Sequence, residues 1–291
     1  MDGLLSLLGD PVTDPEEEAF VVFSQSIPSQ SLGFIDSQAA QIELNVGGRD
    51  LTIRQSRGLL TSDRKSGTTV VWRVTPPFAE WVASPNVLSQ AGYVSPDSVA
   101  IELGAGVSGI VALTLGPKIK RYIATDQDYA IRLLKQNLVD NLPAPENVHK
   151  KHSSKTKASK TAIEQHASSI ETLELDWELD SVSSLPALLG QNGSGNDGQG
   201  VDLVIACDCI YNEALIEPLN STCTQICRIR SSQQPRPTLC LVAQQLRSPD
   251  VFETWLKSFH RSFHVWRVPD KDLTEGLREN SGFIVHVGLV R

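Results

Sequence analysis

One segment constrains this chain more than any other. Ser98–Leu103 (SVAIEL), a short apolar run, leads through Gly104-Ala-Gly106-Val-Ser-Gly109 into a helical run over Ser108–Leu115. A strand that turns on glycines straight into a helix opens a βα unit, and a repeated βα pattern builds a parallel sheet wound with helices on both faces. The pattern does repeat. Arg121–Thr125 (RYIAT) reads as a second strand, and Gln127–Asn141 shows helical spacing through Ala130, Leu133, Leu134 and Leu138. Ser169–Leu175 is a third strand candidate, and Val201–Ile210 (VDLVIACDCI) is the clearest fully buried one, with a helix over Glu213–Arg230 behind it. Thr238–Gln244 and a helix at Val251–Phe259 follow. Phe263–Val268 and Phe283–Val290 have no strong helix between them, which predicts an antiparallel pair at the sheet's edge.

Upstream, Phe20–Phe23, Gln41–Val46 and Leu51–Gln55 read as short strands, with a turn at Gly47–Gly48–Arg49–Asp50, predicting a small N-terminal β extension. The resulting division is an acidic flexible leader at 1–18, a β extension with a lead-in helix at 19–96, and a core at 97–291. Two low-complexity inserts, at 147–168 and 190–200, interrupt that core. The first carries Lys150, Lys151, Lys155, Lys157 and Lys160 without interleaved aromatics. It reads as a solvated excursion, with a weak contact to RNA as the alternative.

Net charge is −8 and the pI about 5.3, which argues against a broad nucleic-acid-binding surface. With 40% hydrophobic residues and a mean hydropathy of −0.14, the chain can bury a core, and no apolar run reaches the length of a membrane span. Five cysteines at no repeating spacing read as reduced thiols, predicting the cytoplasm, with the nucleus as alternative. Cys223 and Cys227 lie four apart with no histidine close in sequence, so no metal is expected, and nothing suggests a nucleophile–base triad. A monomer is expected.

The glycine motif serves a dinucleotide or S-adenosylmethionine equally well. Asp126, ending the second strand, is placed to accept from two ribose hydroxyls, which again fits either ligand. Glu102 separates them. A carboxylate two residues before the first glycine repels a pyrophosphate but favours the sulfonium and ammonium of S-adenosylmethionine. Asp208 and Tyr211 close the strongest strand, so they face the same crevice beyond the strand ends. There a carboxylate would orient an amine, and a tyrosine would hold a methylammonium by cation–π and hydrogen-bond contacts. Asp208 capping the next helix is the plainer reading of the same residue. Asp176 and Trp177, after the third strand, suit an adenine amino group and ring face. Trp72 suits the amino-acid end of the donor.

The order Trp72, ELGAGVSGIVAL, IATDQ, LELDW and DLVIACDCIY resembles the seven-β-strand protein lysine methyltransferases called methyltransferase family 16. Asp208–Cys–Ile–Tyr211 matches that family's D-x-x-Y signature. Within it, ACDCIYNEALIEPL and the basic insert look most like the fungal ribosomal lysine methyltransferase 5 branch. The resemblance implies a Rossmann-like seven-stranded fold, S-adenosylmethionine as donor, and a lysine of large-subunit ribosomal protein L1 as acceptor. It assigns Trp72, Gly104, Ala105, Gly106, Asp126, Trp177 and the Ala206–Cys207 backbone to the donor, and Asp208 and Tyr211 to catalysis. Cys207 stands where the family often has alanine. Another protein substrate (a chaperone or elongation factor) or a small molecule remains the alternative, with a non-catalytic or NAD-binding protein behind them. Asn-Pro-Pro-Phe/Tyr signatures of base or glutamine methylation are absent after Val201–Ile205.

Overall fold

The computed structural model describes residues 2–28, 33–56, 69–142, 170–185, 200–230 and 236–291. The Lys-rich insert at 147–168 and nearly all of that at 190–200 lie outside these residues. So does any RNA contact expected of Lys150–Lys160.

The core is a seven-stranded sheet made of β3 (Val99–Leu103), β4 (Arg121–Asp126), β5 (Ile170–Glu174), β6 (Leu203–Cys207), β7 (Leu239–Gln245), β8 (Phe263–Arg267) and β9 (Phe283–Val290). Their order is β5-β4-β3-β6-β7-β9-β8, with β3 through β7 parallel and β9 antiparallel to both β7 and β8. The expected terminal pair is present, with β9 on the inside and β8 at the edge. Both faces are buried because the apolar runs are continuous. In β6, Leu203, Ile205 and Cys207 enter one core cluster while Val204 and Ala206 enter the other. That is the signature of a strand covered on both sides. The covering helices include α3 (Thr75–Ala83), α4 (Val87–Gln90), α5 (Ile110–Leu115), α6 (Asp128–Asn141), α7 (Ile216–Ile229) and α8 (Pro249–Ser262). No helix of the described residues is long and apolar enough to cross a membrane.

The N-terminal β extension is a hairpin of β1 (Gln41–Val46) and β2 (Arg49–Arg54). Gly47 and Gly48 form its two-residue loop with φ of 57° and 78°, the positive pair that a tight hairpin requires. The free edge of β2 is taken by α6: Asn137 and Asn141 each accept from and donate to its backbone, at Arg54 and Thr52.

Two expectations upstream are corrected. Phe20–Phe23 is not a strand but part of helix α2 (Pro15–Ser24), and residues 1–18 are not loose, since α1 (Asp2–Leu8) precedes it. The Asp14 side chain accepts from the backbone N–H of Glu16 and Glu17, Pro15 starts the helix, and Glu16–Glu18 fill its positive first turn. Leu4 and Leu8 are buried in the core, and Val22 packs in the cluster that holds α8. Glu16 stays on the outer side of this helix, whereas Glu18 turns inward beside the buried His286 and Arg267.

Candidate active site

The chain leaves β3 for β4 on one side and returns to β6 on the other, so the strand order reverses beside β3. Ligands of open α/β sheets bind beyond the carboxyl ends of the strands at such a reversal. Leu103 pairs with Thr125 and with Ala206, so Gly104, Asp126 and Cys207 leave the sheet at one level.

A cleft opens there, lined by Val70, Trp72, Thr75, Glu102, Gly104, Ala105, Gly106, Ser108, Trp177, Cys207, Asp208, Cys209 and Tyr211. It gathers nine of the residues singled out from sequence. Asp126, Asp176 and Ala206 do not line it. Asp126 lies beneath the glycine turn, 3% exposed, with one carboxylate oxygen accepting from Gly106 N–H at 2.8 Å and the other from Gln127 N–H at 2.8 Å. Burial pushes its carboxyl up to about 6, against the pull of those two N–H groups. Asp176 is spent on a local turn: its carboxylate accepts from Glu178 N–H and from Gln127 Nε2. That turn swings Trp177 over the glycines.

The residues fit S-adenosylmethionine on two observations. Gly104 has φ of 68°, and a Cβ there would lie 2.8 Å from Cys209 Sγ and 3.0 Å from Trp177 Cζ2, so only a bare backbone leaves room between strand end and indole. Trp177 Nε1 is buried with no hydrogen-bond partner among the described residues, a donor left over for a ligand.

Glu102 is fully buried and accepts from the Tyr122 hydroxyl at 2.7 Å. Burial pushes its carboxyl up to about 7, opposed by the Tyr122 hydrogen bond and assisted by the Asp126 charge. A folded-state value above the unfolded one means that the native state holds the proton more tightly, so stability falls as pH rises from about 4.5 to about 7. The full shift corresponds to about 3 kcal/mol at most. The melting temperature of the ligand-free protein is therefore expected to drop between pH 5 and 7.5, and Glu102→Gln to flatten most of that drop. An unchanged slope in the Gln variant would place the buried charge elsewhere. A cationic ligand restores a partner to the ionised form.

Asp208 has φ of 59°, unusual for a residue with a side chain, and its N–H donates to the Ala243 carbonyl at 2.7 Å. This left-handed turn ends β6 and sends the chain to Tyr211. The carboxylate that sequence reasoning offers to an amine is already engaged. Arg247 donates Nη1 to Oδ1 at 2.8 Å and Nη2 to Oδ2 at 2.5 Å, and Gln245 N–H donates to Oδ1 at 3.1 Å. The Asp208 side chain is 0% exposed. The same guanidinium lies over the Trp72 ring, 4.7 Å from its centre, and donates to Gln245 Oε1. Trp72 in turn stacks at 6.5 Å and 21° on Tyr211 and packs on Phe34 at 4.6 Å. Tyr211 is 43% exposed, and burial of the rest pushes its hydroxyl up to about 12, so it stays protonated.

Sequence reasoning missed Phe34, Val70, Thr75, Ser108, Cys209, Gln245 and Arg247. For the last two a signal existed: they end the strand beside β6, and the rule that placed Asp208 in the crevice places them there too. Burial pushes the thiols of Cys207 and Cys209 well up; Cys207 Sγ donates to Thr75 Oγ1 and Cys209 Sγ to the Leu103 carbonyl, so neither is a nucleophile. Among the described residues no group of three or more His, Cys, Asp or Glu is placed to hold a metal.

A family profile described as lysine methyltransferase matches residues 50–259. A protein of Vanderwaltozyma polyspora named ribosomal lysine N-methyltransferase 5 is 27% identical over 304 aligned residues, covering 88% of this chain and 91% of that one. A Schizosaccharomyces pombe protein named diaminohydroxyphosphoribosylamino-pyrimidine deaminase is 26% identical over 87% of this chain, which spans only 53% of that relative. Among solved structures, the N-methyltransferase NodS of Bradyrhizobium japonicum with S-adenosyl-L-homocysteine matches at a TM-score of 0.37 and 11% identity, over 75% of this chain and 95% of that one. That likeness is too distant to bear on chemistry. The family profile covers most of the chain, including the glycine turn, Asp126, Trp177 and the Asp208–Tyr211 turn, and on that ground the chain belongs to the S-adenosylmethionine-dependent lysine methyltransferase family.

Proposed function

We propose that this lysine methyltransferase modifies a lysine of a large-subunit ribosomal protein, L1 being the first candidate. The observation that carries the reading is the end-to-end match to a protein named ribosomal lysine N-methyltransferase 5, with 91% of that relative covered. The geometry supports it by supplying a narrow aromatic mouth. Phe34, Trp72 and Tyr211 form its wall, and the wall stands directly beside the cleft that takes the donor.

When bound, S-adenosylmethionine supplies a methyl group on a positively charged sulfur. Gly104, Ala105 and Gly106 give it a close backbone approach. Asp126 braces that turn and keeps lone pairs for the ribose. Trp177 covers the adenine beside Asp176, and Glu102 faces the cationic end. Cys207 lines the cleft beside the glycine turn, with Ala206 just behind it. The lysine nitrogen must arrive with a free lone pair: its new N–C bond forms as the C–S pair stays on sulfur, and its proton is lost to solvent. Trp72 and Tyr211 hold the alkyl stem in line with that axis, and alignment supplies most of the acceleration. Asp208 sets the turn that aims Tyr211, and Tyr211 limits how many methyl groups the nitrogen can carry.

Incubation of the enzyme with tritiated donor and purified large ribosomal subunits is expected to label one ribosomal protein on lysine, read by electrophoresis and mass spectrometry. Unlabelled subunits, with label appearing instead on a chaperone or elongation factor in a cell extract, would overturn the ribosomal assignment. Label confined to small molecules would overturn the protein assignment altogether.

A further inference from the structure

A bare carboxylate beside the acceptor is a poor design for methyl transfer. It stabilises the ammonium form of lysine, whereas the reaction needs the neutral amine, and lysine is ordinarily protonated up to about pH 10. The structure answers this difficulty with a residue outside the D-x-x-Y signature. Arg247 meets both oxygens of Asp208 in a two-pronged pair, donates to Gln245 Oε1, and lays its guanidinium on the face of Trp72. We propose that Arg247 is a positioning residue of the methyl transfer: it locks the Asp208 turn and the Trp72 wall together and cancels the Asp208 charge at the mouth, so that the mouth admits the lysine without holding it as an ammonium. The proposal rests on the Trp72–Tyr211 mouth being the lysine channel.

The two functions follow from one geometry. A planar guanidinium in a forked pair fixes its partner's orientation, and its open face stacks on an aromatic ring at the same time. A lysine in its place would keep the charge and lose the fork. The other charged and titratable groups near the mouth come from several elements. They are Glu102 on β3, Asp126 on β4, Tyr129 on α6, and Cys207, Cys209 and Tyr211 around Asp208. Arg73, next to Trp72, is exposed and donates to the Phe34 carbonyl. Of these groups, Arg247 is the cation in direct contact with Asp208. Without it, Asp208 would present an uncompensated negative charge, and the amine would have to give up its proton against that charge.

The test is the pH dependence of the initial rate at limiting acceptor, with tritiated donor and purified large ribosomal subunits. Arg247→Met is expected to move the acid limb upward by about one pH unit, the size of shift a nearby charge produces. The rate should then fall about ten-fold at pH 7 and recover towards pH 9. Arg247→Lys should leave the limb in place while lowering the rate. In Asp208→Asn/Arg247→Met the limb should return to its wild-type position, because no charge is left to cancel. Calorimetric binding of S-adenosylhomocysteine verifies that each variant is folded. A uniform fall of the Arg247→Met rate at every pH, with the limb unmoved, would overturn the proposal. If Arg247→Met and Arg247→Gln both lose S-adenosylhomocysteine binding, Arg247 serves the fold and the proposal falls. Should the wild-type enzyme leave the subunits unlabelled, that result falls on the ribosomal reading alone. The same comparison is then made with soluble cell extract as the acceptor.

Discussion

Asp208→Ala is expected to lower turnover on the protein substrate by about two orders of magnitude or more, with S-adenosylhomocysteine affinity held within a few-fold. The split follows from where Asp208 sits. Its carboxylate is joined to Arg247, which lies on Trp72, and to Gln245 N–H, so its removal is expected to disturb the Trp72–Tyr211 side of the cleft more than the glycine turn. Removing it takes away the guanidinium's carboxylate partner, frees the turn that leads to Tyr211, and loosens Trp72. Breaking a buried ion pair from one side costs about 3–5 kcal/mol, and the lower end applies because the Arg247 side chain is 20% exposed. The loss of turnover must therefore be measured well below the variant's melting temperature. Asp208→Asn is the companion variant. Asparagine accepts the left-handed conformation at this position, so the turn survives while the charge is lost. Near-normal turnover of Asp208→Ala would refute the role. An equal loss of donor affinity would place Asp208 with the donor instead.

Gly104→Ala is expected to act on the opposite side. At φ of 68° any side chain is strained, and its Cβ would lie 2.8 Å from Cys209 Sγ and 3.0 Å from the Trp177 ring. Neither neighbour yields easily: Cys209 is buried and bonded to the Leu103 carbonyl, and Trp177 is held by the Asp176 turn. The backbone strain alone costs about 1–3 kcal/mol. S-adenosylhomocysteine affinity should fall at least about ten-fold, since 1.4 kcal/mol of lost contact already accounts for that factor. Calorimetry at one temperature for both proteins reads it directly. Affinity within two-fold of wild type would mean that the glycine turn is a structural corner and that the donor lies elsewhere.

The parallel core was legible in the chain because a strand buried on both faces must be apolar at every position. The run LVIAC of β6 satisfies that rule and amphipathic helices do not. The glycine turn was legible for a related reason. A backbone that must turn sharply and approach a ligand needs glycine at fixed positions, and that demand is written locally in Gly104, Gly106 and Gly109. Phe20–Phe23 is a helix although four consecutive apolar residues fit a strand as well as a helix. The deciding information was Asp14 as a cap and the burial of Val22 against the core, and only the first of these is local.

The acceptor side depends on distance in the chain. Asp208 is visible as a carboxylate after a buried strand, but its state is set by Arg247, which reaches it from the next strand, and by Trp72, which arrives from ahead of the first core strand. No spacing rule connects residues 72, 208 and 247. Their meeting follows from strand order, which puts the ends of β6 and β7 side by side, and from pairing between the segments of Phe34 and Trp72, which brings the indole over them. The sequence by itself therefore determined the sheet, the helices on its two faces and the glycine turn at the end of β3, because periodicity and glycine are local properties. Only the tertiary structure decided that the Asp208 charge is paired, because an ion pair is a property of distance in space.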